Sequence, residues 1–221
     1  EGGWGLELYG EELNMTRSSG YFKNYETEYP VYEGGMIWQF DSYYAEPRYW
    51  IEEYELREDF LKKRMKRIEG LSKVPKDMRN DYEVYRLAIR KIASNTNERT
   101  LISSMLPCNA LAGHSLSVSF PFCQVAANYN QLQMSYQDTL ILIALLNSFV
   151  ADYVLRSRMT TNLSLYYLYQ LPIPRLSKGD RFYAEILERT AKLICTTPAF
   201  DDLAHEVGLG SHQAGITNEV Q

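Results

Sequence analysis

Apolar and polar positions run in short alternations through the first fifty residues, take up a helical spacing between Trp50 and Ile68, and alternate again from Tyr85. The opening fifty are rich in Gly, Tyr and Trp and predict strands and turns. A turn at Gly34–Gly35 is followed by "MIWQF", whose bulky and β-branched content predicts a strand. Tyr54, Leu61, Met65 and Ile68 recur at three-, four- and seven-residue steps, which predicts a helix over 50–68. Its first half is acidic and its second half basic, matching the helix dipole, and Glu58–Lys62 and Asp59–Lys63 are expected i,i+4 pairs. The basic half suits phosphate as well as it suits a solvated, self-paired face. Gly70 ends the helix and a polar connector follows.

Between Tyr85 and Pro107 the pattern predicts a hairpin: Leu87, Ile89 and Lys91 alternate with Arg86, Ala88 and Arg90, and a polar loop separates them from "TLISSML". "SLSVSFPFCQV" predicts a further strand, at an edge or a bulge because of Pro121. A long apolar helix is expected after Asp138 as N-cap, fading near Arg156–Met159. Its run "LILIALLNSFVADYVL" contains Asn147, Ser148 and Asp152, which favours a buried helix over a membrane span. "LYQLPIPRLS" should be extended, since each Pro pushes its predecessor out of helix. Asp180–Thr197 and Pro198–Val207 predict two terminal helices, the second with Pro in its first turn. The whole is an α+β pattern with a mixed or mostly antiparallel sheet, a long hairpin and packed helices.

Composition changes this picture little. The 221 residues are 45% hydrophobic and 23% charged, enough for a sizeable core, and 18 tyrosines suit half-buried rims. A net charge of −5 does not advertise a nucleic-acid binder, although a basic patch is compatible with an acidic total. Three unevenly spaced cysteines, Cys108, Cys123 and Cys195, fit a reducing cytoplasm better than a disulfide scaffold. The chain opens at "EGGWGLELYG" without a starting Met and reads as a piece of something longer.

Catalytic signatures are missing from the sequence. It has no Gly-rich phosphate loop, no G-x-S-x-G and no H-E-x-x-H. The histidines are His114, His205 and His212, too few to support a Ser-His-Asp arrangement on sequence grounds. Cys108, His114 and Cys123 match no compact zinc spacing, and two semi-buried thiols with a surface histidine is the better reading. No acid is followed two residues later by Lys, and there is no Pro-Pro pair, so neither the common nuclease signature nor an Asn/Asp-Pro-Pro-aromatic loop is present. The chain reads as a binder or a scaffold.

The ordered segments "WGLELYGEELNMTRSSGYF", "YPVYEGGMIWQFDSYY", "YRLAIRKIASNTNERTLISSMLP" and "LLNSFVADYVLR…NLSLYYLYQLPIP", followed by the terminal helices, resemble a known family. It is the C-terminal target-recognition (TaqI-like specificity) domain of large bacterial N6-adenine DNA methyltransferases, including fused restriction–modification enzymes and BREX-type phage-defence methylases. The resemblance covers Trp4 to Leu209, and its specific parts are "EGGMIWQFD", "NERTLISSMLP" and "YLYQLPIP". It implies a recognition domain over 1–176, C-terminal helices over 177–209 packed on it, and a flexible tail over 210–221. It also implies double-stranded DNA as partner, and an upstream domain of the same chain that binds S-adenosylmethionine and methylates a flipped adenine. This fragment would hold no cofactor and no catalytic residue, and would lie in the cytoplasm away from membranes. A protein-docking module of a defence complex is the alternative.

The resemblance gives the polar loop 94–100 a candidate role. Asn95, Asn97 and Arg99 carry side chains that make paired hydrogen bonds to base edges, and Thr96 and Thr100 suit phosphate contact or fixing of the loop. The competing reading is a self-satisfied loop in which Asn and Thr bond local backbone and Glu98 pairs with Arg99 or Arg90. A motif shared by enzymes with different targets favours scaffold or phosphate contact over base reading. Further DNA-facing candidates are Gln39 and Tyr43 after the Gly34–Gly35 turn, with loop anchoring as the rival role for "QFD". Arg86 and Arg90 on one strand face, His114 in the Gly-containing connector, and Arg156 and Arg158 at a helix end complete the set.

Overall fold

The computed structural model describes residues 4–159 and 162–213. Its centre is the expected hairpin: β3 (Arg86–Arg90) runs antiparallel to β4 (Ser103–Leu106), with Arg86 opposite Leu106 and Ile89 opposite Ser103. On the far side of β3 lies β6 (Leu116–Val118), also antiparallel, so the sheet order is β4-β3-β6. A second sheet is built on β1 (Tyr29–Tyr32), which pairs antiparallel with β2 (Trp50–Ile51) and parallel with β5 (Leu111–Ala112). Two small, mostly antiparallel sheets and surrounding helices make an α+β fold.

Both faces of β3 are buried, and each closes a different part of the core. Leu87 and Ile89 meet Leu140, Leu142 and Ile143 of the apolar helix α2 (Tyr136–Leu146). Ala88 meets Ile102, Leu106, Leu116 and Val118 on the opposite side. Burying each of the larger aliphatic side chains contributes about 1.5–3 kcal/mol before the cost of chain ordering. Helix α5 (Tyr183–Ile194) packs along α2, and Ala191, Ile194, Phe200 and Leu203 join the same core. The C-terminal helices therefore share the core of the hairpin. Short α6 (Asp201–Glu206) follows a 3-10 turn that starts at Pro198.

Several expected elements shift. The helix expected from Trp50 is α1, Glu53–Arg67, because Trp50 and Ile51 are taken by β2. Its charge gradient is present, with Glu53 and Glu55 in the first turn and Arg64, Lys66 and Arg67 in the last. Glu58 meets Lys62 at 3.4 Å, whereas Lys63 leaves Asp59 and lies over the Phe60 ring. "MIWQF" forms no strand: a 3-10 turn, Gly34–Met36, runs into irregular chain. Ser135, rather than Asp138, caps α2, its Oγ accepting from the Asp138 N–H. The apolar run is two helices, α2 and α3 (Phe149–Arg156), bent by 60° at Asn147–Ser148, and no single helix is long and apolar enough to cross a membrane. A short helix, α4 (Leu165–Tyr169), forms ahead of the extended Pro172–Pro174 segment. The expected flexible tail falls largely outside the described residues. Within them, His212 bonds Asp201 through both its N–H and its ring, and the Gln213 N–H donates to the Cys195 carbonyl.

The amino-terminal arm is stitched into the sheets. Tyr9 N–H donates to the Val118 carbonyl and Leu13 N–H to the Ala112 carbonyl. Between them, the Glu12 carboxylate meets the Arg86 guanidinium at 2.5 and 3.1 Å and accepts from the Ala112 N–H at 2.7 Å. Arg86 also donates to the Ala110 carbonyl, and both side chains are sealed from solvent. Removing one member of such a pair strands the other charge. Replacing Glu12 with Ala should lower the unfolding free energy by about 3–5 kcal/mol, read as an earlier urea midpoint.

Candidate nucleic-acid interface

The polar loop after β3 is tied down from its carboxyl end. Asp152, in the first turn of α3, is buried and accepts the N–H groups of Thr100 and Leu101 on one oxygen at 2.8 and 2.7 Å. Its other oxygen accepts from Arg156 at 3.1 Å. Asn147, at the α2–α3 bend, pairs its carboxamide with Ser103 as a neighbouring strand would, accepting from the N–H at 3.0 Å and donating to the carbonyl at 2.8 Å. The free edge of β4 is thereby covered. The Asn147 main-chain carbonyl in turn accepts from Gln39 at 3.0 Å and Arg99 at 2.5 Å. Phe40, held at a left-handed φ of 66°, adds its N–H to the Ser103 carbonyl.

This knot decides where the expected site residues stand. Arg99 and Thr100 are interior: Arg99 spans Asn147 and the Phe149 ring, and the Thr100 hydroxyl donates to the Ser94 carbonyl. Gln39 anchors its loop. Arg86 is buried on Glu12, which removes it as a phosphate ligand. Arg90, on the same strand face, donates to the carbonyls of Gly34 and Ile37 and lies over Trp38, so it fastens the Gly34–Gly35 turn. Both arginines point inward because the Ala88 face of β3 is covered rather than open. Glu98 pairs with neither Arg99 nor Arg90; its carbonyl accepts from Arg156 at 2.8 Å.

What remains outside is the loop tip. Asn95, Thr96, Asn97 and Glu98 are exposed. Thr96 bonds Ser94 through its hydroxyl and its N–H, and the Asn97 N–H donates to the Ser94 carbonyl, a local turn that holds the tip's shape. The carboxamides of Asn95 and Asn97 have no partner among the described residues. Arg156 is half-buried against the loop and Arg158 is exposed at the same helix end. His114 is exposed on the β5–β6 connection, and Tyr43 is half-exposed with its ring edge-on to Phe200. The twelve expected residues therefore do not form one surface: Gln39, Arg99, Thr100 and Arg156 tie the loop, Arg86 and Arg90 are held elsewhere in the core, Asn95, Thr96 and Asn97 are exposed at the tip, and Tyr43, His114 and Arg158 are exposed on other segments.

The basic half of α1 divides in the same way. In α1, Arg64 and Arg67 turn inward to Asp81, which also accepts the Tyr9 hydroxyl at 2.5 Å. Burial first, then the charge of Asp81, pushes the Tyr9 hydroxyl well above its ordinary range, so it stays a donor. Lys63, Lys66, Lys73 and Lys76 face solvent with no carboxylate partner among the described residues. Cys108, His114 and Cys123 do not gather, and no cluster of three or more metal-ligating side chains occurs among the described residues.

Sequence reasoning overlooked Asp152 and Asn147 as the loop's partners. The signal was available, since polar residues inside an apolar run must find hydrogen-bond partners in the core. No family model matches the chain, and no curated protein matches it. Asp152→Ala leaves two buried N–H groups without an acceptor and should cost about 2–4 kcal/mol in denaturant unfolding. Hydrogen exchange of the Thr100 and Leu101 amides should rise beyond that of the β3 amides.

Proposed function

We propose that this chain is a DNA sequence-reading module of an adenine-specific, S-adenosylmethionine-dependent methyltransferase, with the cofactor and the chemistry held by a separate domain. The loop tip carries this reading: two free carboxamides, Asn95 and Asn97, stand on a turn whose base is pinned by Asp152, Asn147 and Arg99. A carboxamide held in place makes the paired contact that distinguishes adenine in the major groove, and anchoring the loop beforehand lowers the ordering cost of binding. Two of the motifs that carry the family resemblance meet at this knot, since Gln39 and Arg99 donate to one carbonyl. The unpaired lysines of α1 and its connector, with Arg158, supply the cations that a phosphate backbone requires.

The partition assigns different tasks to different residues. Asn95 and Asn97 read, Lys63, Lys66 and Arg158 hold backbone, and Arg86, Arg90, Arg99 and Thr100 support. Binding of a random duplex pool should be weak, near 10⁻⁴–10⁻⁶ M, and should fall steeply as salt rises. Lys63→Glu with Lys66→Glu should weaken all sequences alike and flatten the salt slope. Asn95→Ala or Asn97→Ala should leave pool binding intact and erase the enrichment of a preferred word by about five- to a hundredfold. Fluorescence anisotropy and selection from a randomised duplex measure both. No duplex binding at low salt with protein near 10⁻⁴ M overturns the proposal.

A further inference from the structure

Helix α3 exposes what a helix of a closed core hides. Phe149 is 83% exposed and Tyr153 is 74% exposed, four residues apart and so on one stripe. Arg156 continues the stripe one turn on, half-buried against the loop. Arg99 lies 4.5 Å from the Phe149 ring centre and fixes that ring beside the loop that ends in Asn95–Asn97. On its other flank α3 borders an apolar cleft lined by Val150, Val154 and Pro172–Pro174, and Tyr166 and Tyr169 of α4 are exposed as well.

Charge indicates what covers this face. Between Thr139 and Lys178 the sequence holds one carboxylate, Asp152, which is buried and paired with Arg156, and three further cations, Arg158, Arg175 and Lys178. That contrasts with a chain whose net charge is −5. A stretch with exposed aromatic rings, exposed cations and no exposed acid of its own, beside the single exposed Glu98 of the loop, complements a polyanion that has free π-faces. A duplex offers its bases only in the grooves, whereas an unpaired strand offers them face-on.

We propose that α3 is a stacking surface for unpaired DNA, on which successive bases lie against Phe149 and Tyr153 while Arg158, exposed at the end of the helix, meets the phosphates. This rests on the DNA-reading role above and extends it. The tip reads paired sequence, and the aromatic stripe beside it holds a strand whose bases have been opened.

Anisotropy with a labelled oligothymidylate of about 20 nucleotides tests this on the whole chain. The expected result is measurable binding that Phe149→Ala and Tyr153→Ala each weaken by about five- to a hundredfold, while Phe149→Trp and Tyr153→Phe retain it. Asn95→Ala with Asn97→Ala should leave the single-strand affinity in place, and the Tyr153 variants, which touch nothing that holds the loop, should leave random-duplex affinity in place. Loss of duplex binding alone thus strikes the reading role, and loss of single-strand binding alone strikes the stacking surface. The inference is overturned if the oligothymidylate does not bind, or if it binds equally well to the alanine variants. It is also overturned if these variants alter only self-association in sedimentation, which makes the face a protein contact. Phe149 and Tyr153 are solvent-facing, so matching thermal melts should show that the variants fold.

Discussion

Two backbone N–H groups in succession, those of Thr100 and Leu101, leave the hairpin loop facing the buried interior, and both end on one oxygen of Asp152. Each would be costly if left alone. Satisfying them fixes where α3 starts and requires the apolar run to bend at Asn147, whose carboxamide then closes the strand edge at Ser103. The loops at 39–40 and 99–101 converge on the same few polar atoms. Hairpin, bend and turn are therefore one interlocked unit.

The division between support and contact follows from that unit. Of the hydrogen-bonding side chains crowded into residues 94–100, those nearest β4 are drawn inward, and those at the tip stay exposed. A loop built only to turn would not need this arrangement. One whose outer atoms must keep their positions while meeting a ligand would benefit from it, because little freedom is left to lose on binding.

The hairpin was legible because its alternation is flanked by an unmistakable polar loop, and the charge gradient marked α1 as plainly. The fate of Arg86 and Arg90 was not. Alternation places them on one face but does not say whether that face is open, and the covering layer, including Tyr32, Met36 and Ile37, comes from distant parts of the chain. The break in the apolar helix was written as Asn147-Ser148, a carboxamide followed by a capping hydroxyl, yet apolar continuity on both sides masked it. Local pattern reported elements well. It did not report which polar residues are claimed by partners fifty or more positions away.

The amino-terminal arm shows this long reach most clearly. Leu8 bonds Tyr169, Tyr9 bonds Val118, and Glu12 bonds Arg86 and Ala112. Each partner is synthesised well after the arm itself. Its partners lie 74 to 161 positions further along the chain, so each of these contacts closes a long loop. It acts as a strap across both sheets, and a fold without it would hold the Arg86 charge in the core with no carboxylate to answer it.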